Sequence, residues 1–224
     1  MRVAVTTDRF DRVAPFYREA RLDPIRLPCV KVEPAPADVL ARARAATARA
    51  GVIVLSSART VDLLWPDGPM PSIPVLAVGT ATEAAVKDRR GQVFIVGNSG
   101  LAALAARART RLATANVVFP RSANSDRAAL RIIRELAPHL LEFEVYRTRS
   151  IAPAKAEVQA VAFASPSAVE GWHFARSLEG LVVGVIGPTT SAAVSLHRRP
   201  DVVASSPSHR ALAQALASHM EVKI

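Results

Sequence analysis

The sequence is poor in cysteine, in aromatic residues and in long apolar runs. Cys29 stands alone among 224 residues, which excludes an intramolecular disulfide framework and a cysteine-cluster metal site. Aromatic residues make up 5% of the chain, so a surface that stacks nucleic-acid bases is not expected. The longest apolar runs, near 52–55 and 181–186, are too short to span a bilayer. Residues 1–9 lack the apolar core of a signal peptide, and we therefore expect a cytoplasmic protein that binds no membrane.

Acidic residues are also scarce relative to basic ones. The chain has 29 Lys and Arg against 19 Asp and Glu, a net charge of +10, and only four of the basic residues are lysine. This balance suits an anionic partner such as phosphate or a polycarboxylate. The arginines are scattered without a basic block, so nucleic acid is not the expected partner. An excess of alanine and arginine is equally typical of biased codon usage, and both explanations stay open.

Common catalytic motifs are missing. The chain contains no Gly-x-Gly-x-x-Gly after its first strand, no Walker loop and no Gly-x-Ser-x-Gly elbow. Its histidines are widely separated and form no His-x-x-x-His pair; they are His139, His173, His197, His209 and His219. A nucleotide cofactor, a hydrolase triad and a metal site are therefore not expected.

An internal repeat is present instead. Residues 52–61 resemble residues 160–169, and residues 75–86 resemble residues 183–194, both at an offset of 108 positions. The same offset relates three pairs of identical residues: Gly79 and Gly187, Thr82 and Thr190, Leu104 and Leu212. Half of the residues are hydrophobic, enough for two folded lobes of roughly 100 residues each.

Short apolar segments alternate with alanine-rich helical patterns in both halves. The predicted strands are 2–6, 25–32, 51–55, 74–78, 92–96, 116–119, 141–146, 159–164, 181–186 and 201–204. The predicted helices are 37–49, 80–88, 101–112, 125–137, 166–177, 188–197 and 208–219. This alternation predicts an α/β protein with parallel sheets flanked by helices.

The turns after the strands indicate anion binding. In Ser165-Pro166-Ser167 a good N-cap precedes proline, which is favoured at the first helical position. Residues 187–190, Gly-Pro-Thr-Thr, repeat this with glycine as the cap, and residues 80–83 read as a capping box. Helix N-termini carry free N–H groups and partial positive charge. Because ligands of open α/β sheets collect at the carboxyl ends of strands, we expect the ligand there.

Three segments together resemble a known family. Residues 145–148 read Val-Tyr-Arg-Thr, residues 163–169 read Phe-Ala-Ser-Pro-Ser-Ala-Val, and residues 186–190 read Ile-Gly-Pro-Thr-Thr. Their order and spacing resemble the uroporphyrinogen-III synthase family, with Ser56-Ser57 and residues 78–80 as equivalents in the first half. The resemblance implies two similar α/β domains joined by two crossing linkers. One domain comprises 1–33 plus 150–224, the other is 37–147, and the linkers lie near 34–36 and 147–150.

The resemblance also implies an activity. Enzymes of this family are cyclising hydro-lyases of porphyrin and heme biosynthesis. They close hydroxymethylbilane, a linear tetrapyrrole polycarboxylate, with inversion of the terminal pyrrole ring and loss of water. The chemistry needs neither cofactor nor metal, and a monomer is expected. Arg59 and Ala164 depart from the family pattern, which leaves open a non-catalytic module that senses a tetrapyrrole or another anion.

Site residues follow from the same resemblance. Tyr146 is the candidate acid for loss of the hydroxyl, with packing between lobes as its alternative role. The expected substrate contacts are Ser165, Ser167, Thr189, Thr190, Ser57, Thr82, Arg9 and Arg121. N-capping alone is an equally good explanation of Ser165, and backbone groups are the expected contacts at Thr189 and Thr190.

Overall fold

The chain forms two compact units in this computed structural model, which describes residues 1–97 and 100–221. Unit 1 comprises Met1–Val32 and Thr148–Ile224, and unit 2 comprises Glu33–Arg147. The chain therefore passes from unit 1 to unit 2 and back again.

The described residues contain eleven strands and ten helices. In chain order they are β1 (Arg2–Val5), α1 (Phe10–Glu19), β2 (Asp23–Arg26), β3 (Val30–Pro34), α2 (Ala37–Thr47), β4 (Val52–Leu55), α3 (Ala58–Leu64), β5 (Pro74–Val78), α4 (Thr80–Asp88), β6 (Gln92–Gly97), α5 (Gly100–Arg107), α6 (Arg109–Thr114), β7 (Val117–Ser122), α7 (Arg127–Leu136), β8 (Leu140–Ser150), β9 (Ala160–Phe163), α8 (Pro166–His173), β10 (Val182–Val185), α9 (Pro188–Ser195), β11 (Val202–Val203) and α10 (His209–Glu221).

Two parallel sheets organise the units. Unit 1 contains a five-stranded sheet of order β11-β10-β9-β1-β2, in which each neighbouring pair is parallel. The six-stranded sheet has the order β3-β8-β7-β4-β5-β6, and its run from β8 to β6 is parallel. The central strands β4 and β9 are fully buried, because side chains pack against both faces of a covered parallel sheet. The predicted α/β fold is confirmed.

The 108-residue repeat has a structural counterpart. β9 lies 108 positions after β4 at both of its ends, and Ser57 and Ser165 each cap the helix that follows. Gly79 and Gly187 likewise precede α4 and α9. The strands β4, β5 and β6 are adjacent in one sheet, as β9, β10 and β11 are in the other. Beside β4 the sheet continues with β7, from later in the chain, and beside β9 it continues with β1, from earlier in the chain. Equivalent sequence positions therefore occupy equivalent places in the two sheets.

The structure differs from the sequence prediction at several elements. Helices α1 and α3 were not predicted, residues 25–32 belong to two strands, and residues 101–112 belong to two helices. The capping box at residues 80–83 is wrong, because Gly79 is the N-cap and Glu83 instead pairs with Lys87 at 2.6 Å. Among residues 1–97 and 100–221, no helix has the length and apolar character that crossing a bilayer requires.

Candidate active site

Three strands of unit 1 end beside one another, and each leads into a helix. β9 leads to α8, β10 to α9 and β1 to α1. Because these strands are adjacent and parallel, their carboxyl ends share one edge of the sheet. This edge brings together Ser165, Ser167, Thr189, Thr190 and Arg9.

Ser165 begins α8 as its N-cap. Its backbone is extended and its side chain accepts a hydrogen bond from the Ala168 amide at 3.2 Å. Pro166 follows in the first turn, where its fixed φ suits the helix and no amide donor is lost. The Ser165 side chain is therefore occupied by capping, while Ser167 is half-buried on the first turn.

Gly187 begins α9 in an extended conformation, with φ of 174° and ψ of −176°. A Cβ placed there would meet no atom within 4 Å. Thr189 is exposed, whereas Thr190 is 3% exposed. The geometry leaves the Thr189 side chain and the first amides of α9 as the groups that a ligand would meet.

A threonine that sequence reasoning missed fixes β1 against β9. The buried Thr6 hydroxyl donates to the Ala162 carbonyl at 2.7 Å. Thr7 then accepts from the Arg9 amide at 3.3 Å, immediately before α1. The pair of threonines after an apolar strand was the available signal, because hydroxyls at strand ends commonly bond nearby backbone groups.

Unit 2 repeats this arrangement at its own sheet edge. Ser57 caps α3 by accepting from the Arg59 amide at 3.1 Å. Gly79 precedes α4 with φ of 79°, a conformation that glycine adopts without steric cost. Thr82 lies in the first turn of α4 and is 3% exposed. The side chains of Ser57 and Thr82 therefore serve capping and packing.

Arg121 lies in a cluster of charges on unit 2. Its side chain is 8% exposed, and its Nε donates to Glu142 at 2.6 Å while Nη2 lies 3.2 Å from Glu144. Arg134 donates to the same Glu142 at 2.6 Å. Burial acts to raise the pKa of Glu142, but hydrogen bonds from Arg134 and Arg121 outweigh it and lower that pKa. The geometry favours a structural role for Arg121 over the expected substrate contact.

Tyr146 lies in β8 opposite Ser122, the last residue of β7. Its carbonyl accepts from the Ala123 amide at 2.8 Å, and the residue as a whole is 8% exposed. The sheet therefore fixes the Tyr146 backbone near the carboxyl end of β7. In the described part of the chain, no three His, Cys, Asp or Glu residues group as metal ligands.

Comparisons with known proteins agree on one family. The family described as uroporphyrinogen-III synthase HemD matches residues 11–214. A uroporphyrinogen-III synthetase structure from Helicobacter pylori superposes with a TM-score of 0.67 and 16% identity, covering 100% of this chain and 99% of that one. A mutant uroporphyrinogen III synthase from the extremely thermophilic bacterium Thermus thermophilus gives 0.63 and 15%, covering 99% of each chain.

A comparison with curated protein sequences finds no match. The structural likeness, at these identities, shows a shared fold. The family match covers most of the chain and includes both repeats and the three signature segments. The chain therefore belongs to the uroporphyrinogen-III synthase family.

Proposed function

We propose that the protein is a uroporphyrinogen-III synthase, which cyclises hydroxymethylbilane with inversion of the terminal ring and loss of water. The family match over residues 11–214 carries the proposal. The substrate is a tetrapyrrole polycarboxylate, and the chain's net charge of +10 suits it. No step of the reaction requires an electron carrier or a group carrier.

The start of α9 supplies groups that fit carboxylates. Helices α8 and α9 begin at one sheet edge, and their free amides carry partial positive charge. Gly187 leaves the approach to α9 open, while the hydroxyls of Ser167 and Thr189 lie in the first turns. Backbone amides and these hydroxyls are thus the proposed contacts, whereas Arg121 holds unit 2 together.

Tyr146 is the proposed donor to the departing hydroxyl. A phenol O–H is an uncharged hydrogen-bond donor, so it adds no negative charge that would repel a polycarboxylate. General-acid assistance is typically worth about 10²–10⁴-fold. The Ala123 amide holds the Tyr146 backbone in the sheet, and the residue is 8% exposed.

Isomer selection needs little energy. Hydroxymethylbilane closes unaided to the I isomer, so the enzyme must favour ring inversion over direct closure. A hundredfold preference corresponds to about 2.7 kcal/mol of differential transition-state stabilisation. Fixing the folded substrate by its carboxylates is sufficient for an effect of that size.

The test is isomer analysis of the product formed from hydroxymethylbilane. The wild-type protein should yield uroporphyrinogen III above the spontaneous background of isomer I. Tyr146→Phe should lower the rate of III formation by at least about tenfold. Tyr17→Phe is the matched control, because the Tyr17 hydroxyl lies 3.1 Å from His209 Nδ1 inside unit 1 and its loss should leave the isomer ratio unchanged.

Two outcomes contradict parts of the proposal. Formation of isomer I alone by a folded protein that binds the product would identify a non-catalytic sensing module. A Tyr146→Phe variant that turns over at the wild-type rate would make Tyr146 a packing residue.

We further propose that the protein is a monomer and that it lies in the cytoplasm. Sedimentation velocity tests the first statement, and cell fractionation tests the second.

A further inference from the structure

A cavity lies on unit 2, and its lining includes none of the residues assigned to the candidate active site. Its volume is about 380 Å³, and it is bounded by β6 and by the helices α5 and α6. Its lining residues are Phe94, Ile95, Arg107, Ala108, Thr110, Arg111 and Thr114. None of these side chains is acidic, so the cavity presents positive charge together with apolar surface. The volume falls in the range of about 300–1,000 Å³ typical of small-molecule sites.

A β-bulge directs Phe94 into this cavity. β6 is the edge strand of its sheet, and Val75 pairs with Val93 whereas Leu76 pairs with Ile95. Phe94 therefore has no residue opposite it, and the residue as a whole is 57% exposed. Bulges re-aim side chains and are frequent beside functional sites. Together with Ile95, Phe94 gives the cavity an apolar wall.

Arg111 contributes positive charge to the lining of the cavity. Its guanidinium carbon lies 5.0 Å from the centre of the Phe94 ring, a cation–π arrangement that fixes the plane of the charge. Its Nε is buried and has no hydrogen-bond partner among the described residues. Because this Nε is enclosed by protein atoms, a ligand in the cavity would meet the Nη groups of the guanidinium.

The neighbouring groups are already engaged. Arg107 Nη1 donates to the Val96 carbonyl at 2.7 Å, and the Thr114 hydroxyl donates to the Thr110 carbonyl at 3.1 Å. These contacts fix the walls of the cavity. Neither contact involves Arg111, whose guanidinium is the other positive charge of the lining.

We propose that this cavity is a binding site for a flat aromatic carboxylate. The carboxylate would accept two parallel hydrogen bonds from the two Nη groups at the end of the Arg111 side chain, a planar pairing that guanidinium and carboxylate share. The aromatic body of the ligand would pack on Phe94 and Ile95. The site is independent of the cyclisation chemistry, because its residues lie outside the turns assigned to the substrate.

The probe is 2-naphthoate, with binding measured by titration calorimetry on the full chain. Saturable one-to-one binding is expected, and the uncharged 2-naphthylmethanol should bind at least about tenfold more weakly. Arg111→Gln should weaken naphthoate binding at least about tenfold. Arg109→Gln removes an exposed arginine from the same helix, outside the lining residues, and should leave the affinity unchanged.

Further comparisons guard against misfolding and against a general anion site. Arg111→Lys keeps the charge without the planar pair of donors, so it should bind several-fold more weakly while melting like the wild type. Absence of binding to the wild type overturns the proposal, as does full affinity in Arg111→Gln or Arg111→Lys. Inorganic phosphate that binds as tightly as 2-naphthoate would show that the aromatic ring contributes nothing, which also overturns it.

Discussion

Gly171 allows α8 to lie directly on the backbone of two other segments of unit 1. A Cβ at this position would overlap the Cys29 carbonyl oxygen and would lie 2.6 Å from the Ile151 carbonyl oxygen and 3.0 Å from the Ile151 nitrogen. Cys29 O also accepts from the Ile151 amide at 2.9 Å. These Cys29 and Ile151 atoms belong to two backbone segments that this hydrogen bond joins, so they cannot rotate away as a side chain would. Gly171→Ala therefore requires α8 itself to move.

The expected cost follows from two opposing effects. Overpacking of a tight interior costs about 1–3 kcal/mol and occasionally more, and overlap with two backbone oxygens places Gly171→Ala at the upper end. Alanine regains about 1 kcal/mol of helix propensity over glycine. We expect the free energy of unfolding to fall by about 2 kcal/mol or more, a large share of the 5–15 kcal/mol that typical domains have.

Urea unfolding, followed by circular dichroism, measures this change. Gly187→Ala is the matched control, since the same methyl group there meets no atom within 4 Å. The displacement of α8 should also slow formation of the III isomer, because Ser165 and Ser167 lie at the start of that helix. If Gly171→Ala unfolds within about 0.5 kcal/mol of the wild type, a size typical of neutral surface changes, the close approach is not a constraint on the fold.

The other expectations concern the cap of α9, the acid range, the ion pairs of unit 2 and salt. Gly187→Ala should change stability by no more than about 1 kcal/mol, yet lower the rate of III formation severalfold in the isomer assay if carboxylates approach the amides of α9. Burial lowers the pKa of His209 from 6.5 to about 4. The neutral ring therefore adds up to about 3 kcal/mol to the free energy of unfolding, an amount that is complete above the unfolded-state pKa and is lost as the pH falls toward 4. His209→Gln should flatten the fall in melting temperature between about pH 7 and pH 5. Glu142→Gln weakens the buried pair with Arg121 and should lower the free energy of unfolding in urea by about 2 kcal/mol, whereas Arg42→Gln, which breaks an exposed pair, should cost less than about 0.5 kcal/mol. Binding of the tetrapyrrole product should weaken from low to physiological salt, where the screening length is about 8 Å, and an affinity independent of salt would leave codon bias as the explanation of the arginines.

Strands and caps were predictable because their signals are local. β4 and β9 are continuous apolar segments bounded by polar turns. Ser165 is followed by proline, and this N-cap signal depends only on neighbouring residues. Helix α1 was missed because Pro15 interrupts its pattern and proline normally ends or kinks a helix. Its buried residues, Val13, Ala14 and Tyr17, nevertheless lie on one face, and this face packs into the core of unit 1.

The site was predictable in part for the same reason. The glycine and serine that begin α9 and α8 lie next to strands in the sequence, so their positions at the sheet edge follow from the α/β pattern. The pairing of Arg121 with Glu142 joins residues 21 positions apart, and only the register of β7 against β8 brings them together. Without this register, the sequence shows no partner for Arg121, and a ligand contact is the natural prediction.

The position of β1 between β9 and β2 has a consequence for synthesis of the chain. β1 leaves the ribosome before its neighbour β9, which begins at Ala160, and at about 5–20 residues per second the delay is roughly 10–30 s. Unit 2 is continuous and emerges complete within that interval. β1 and β2 meanwhile present unpaired backbone N–H and C=O groups that invite wrong pairing. We therefore expect protease digestion of ribosome-bound chains to cleave the N-terminal strands after unit 2 has become resistant.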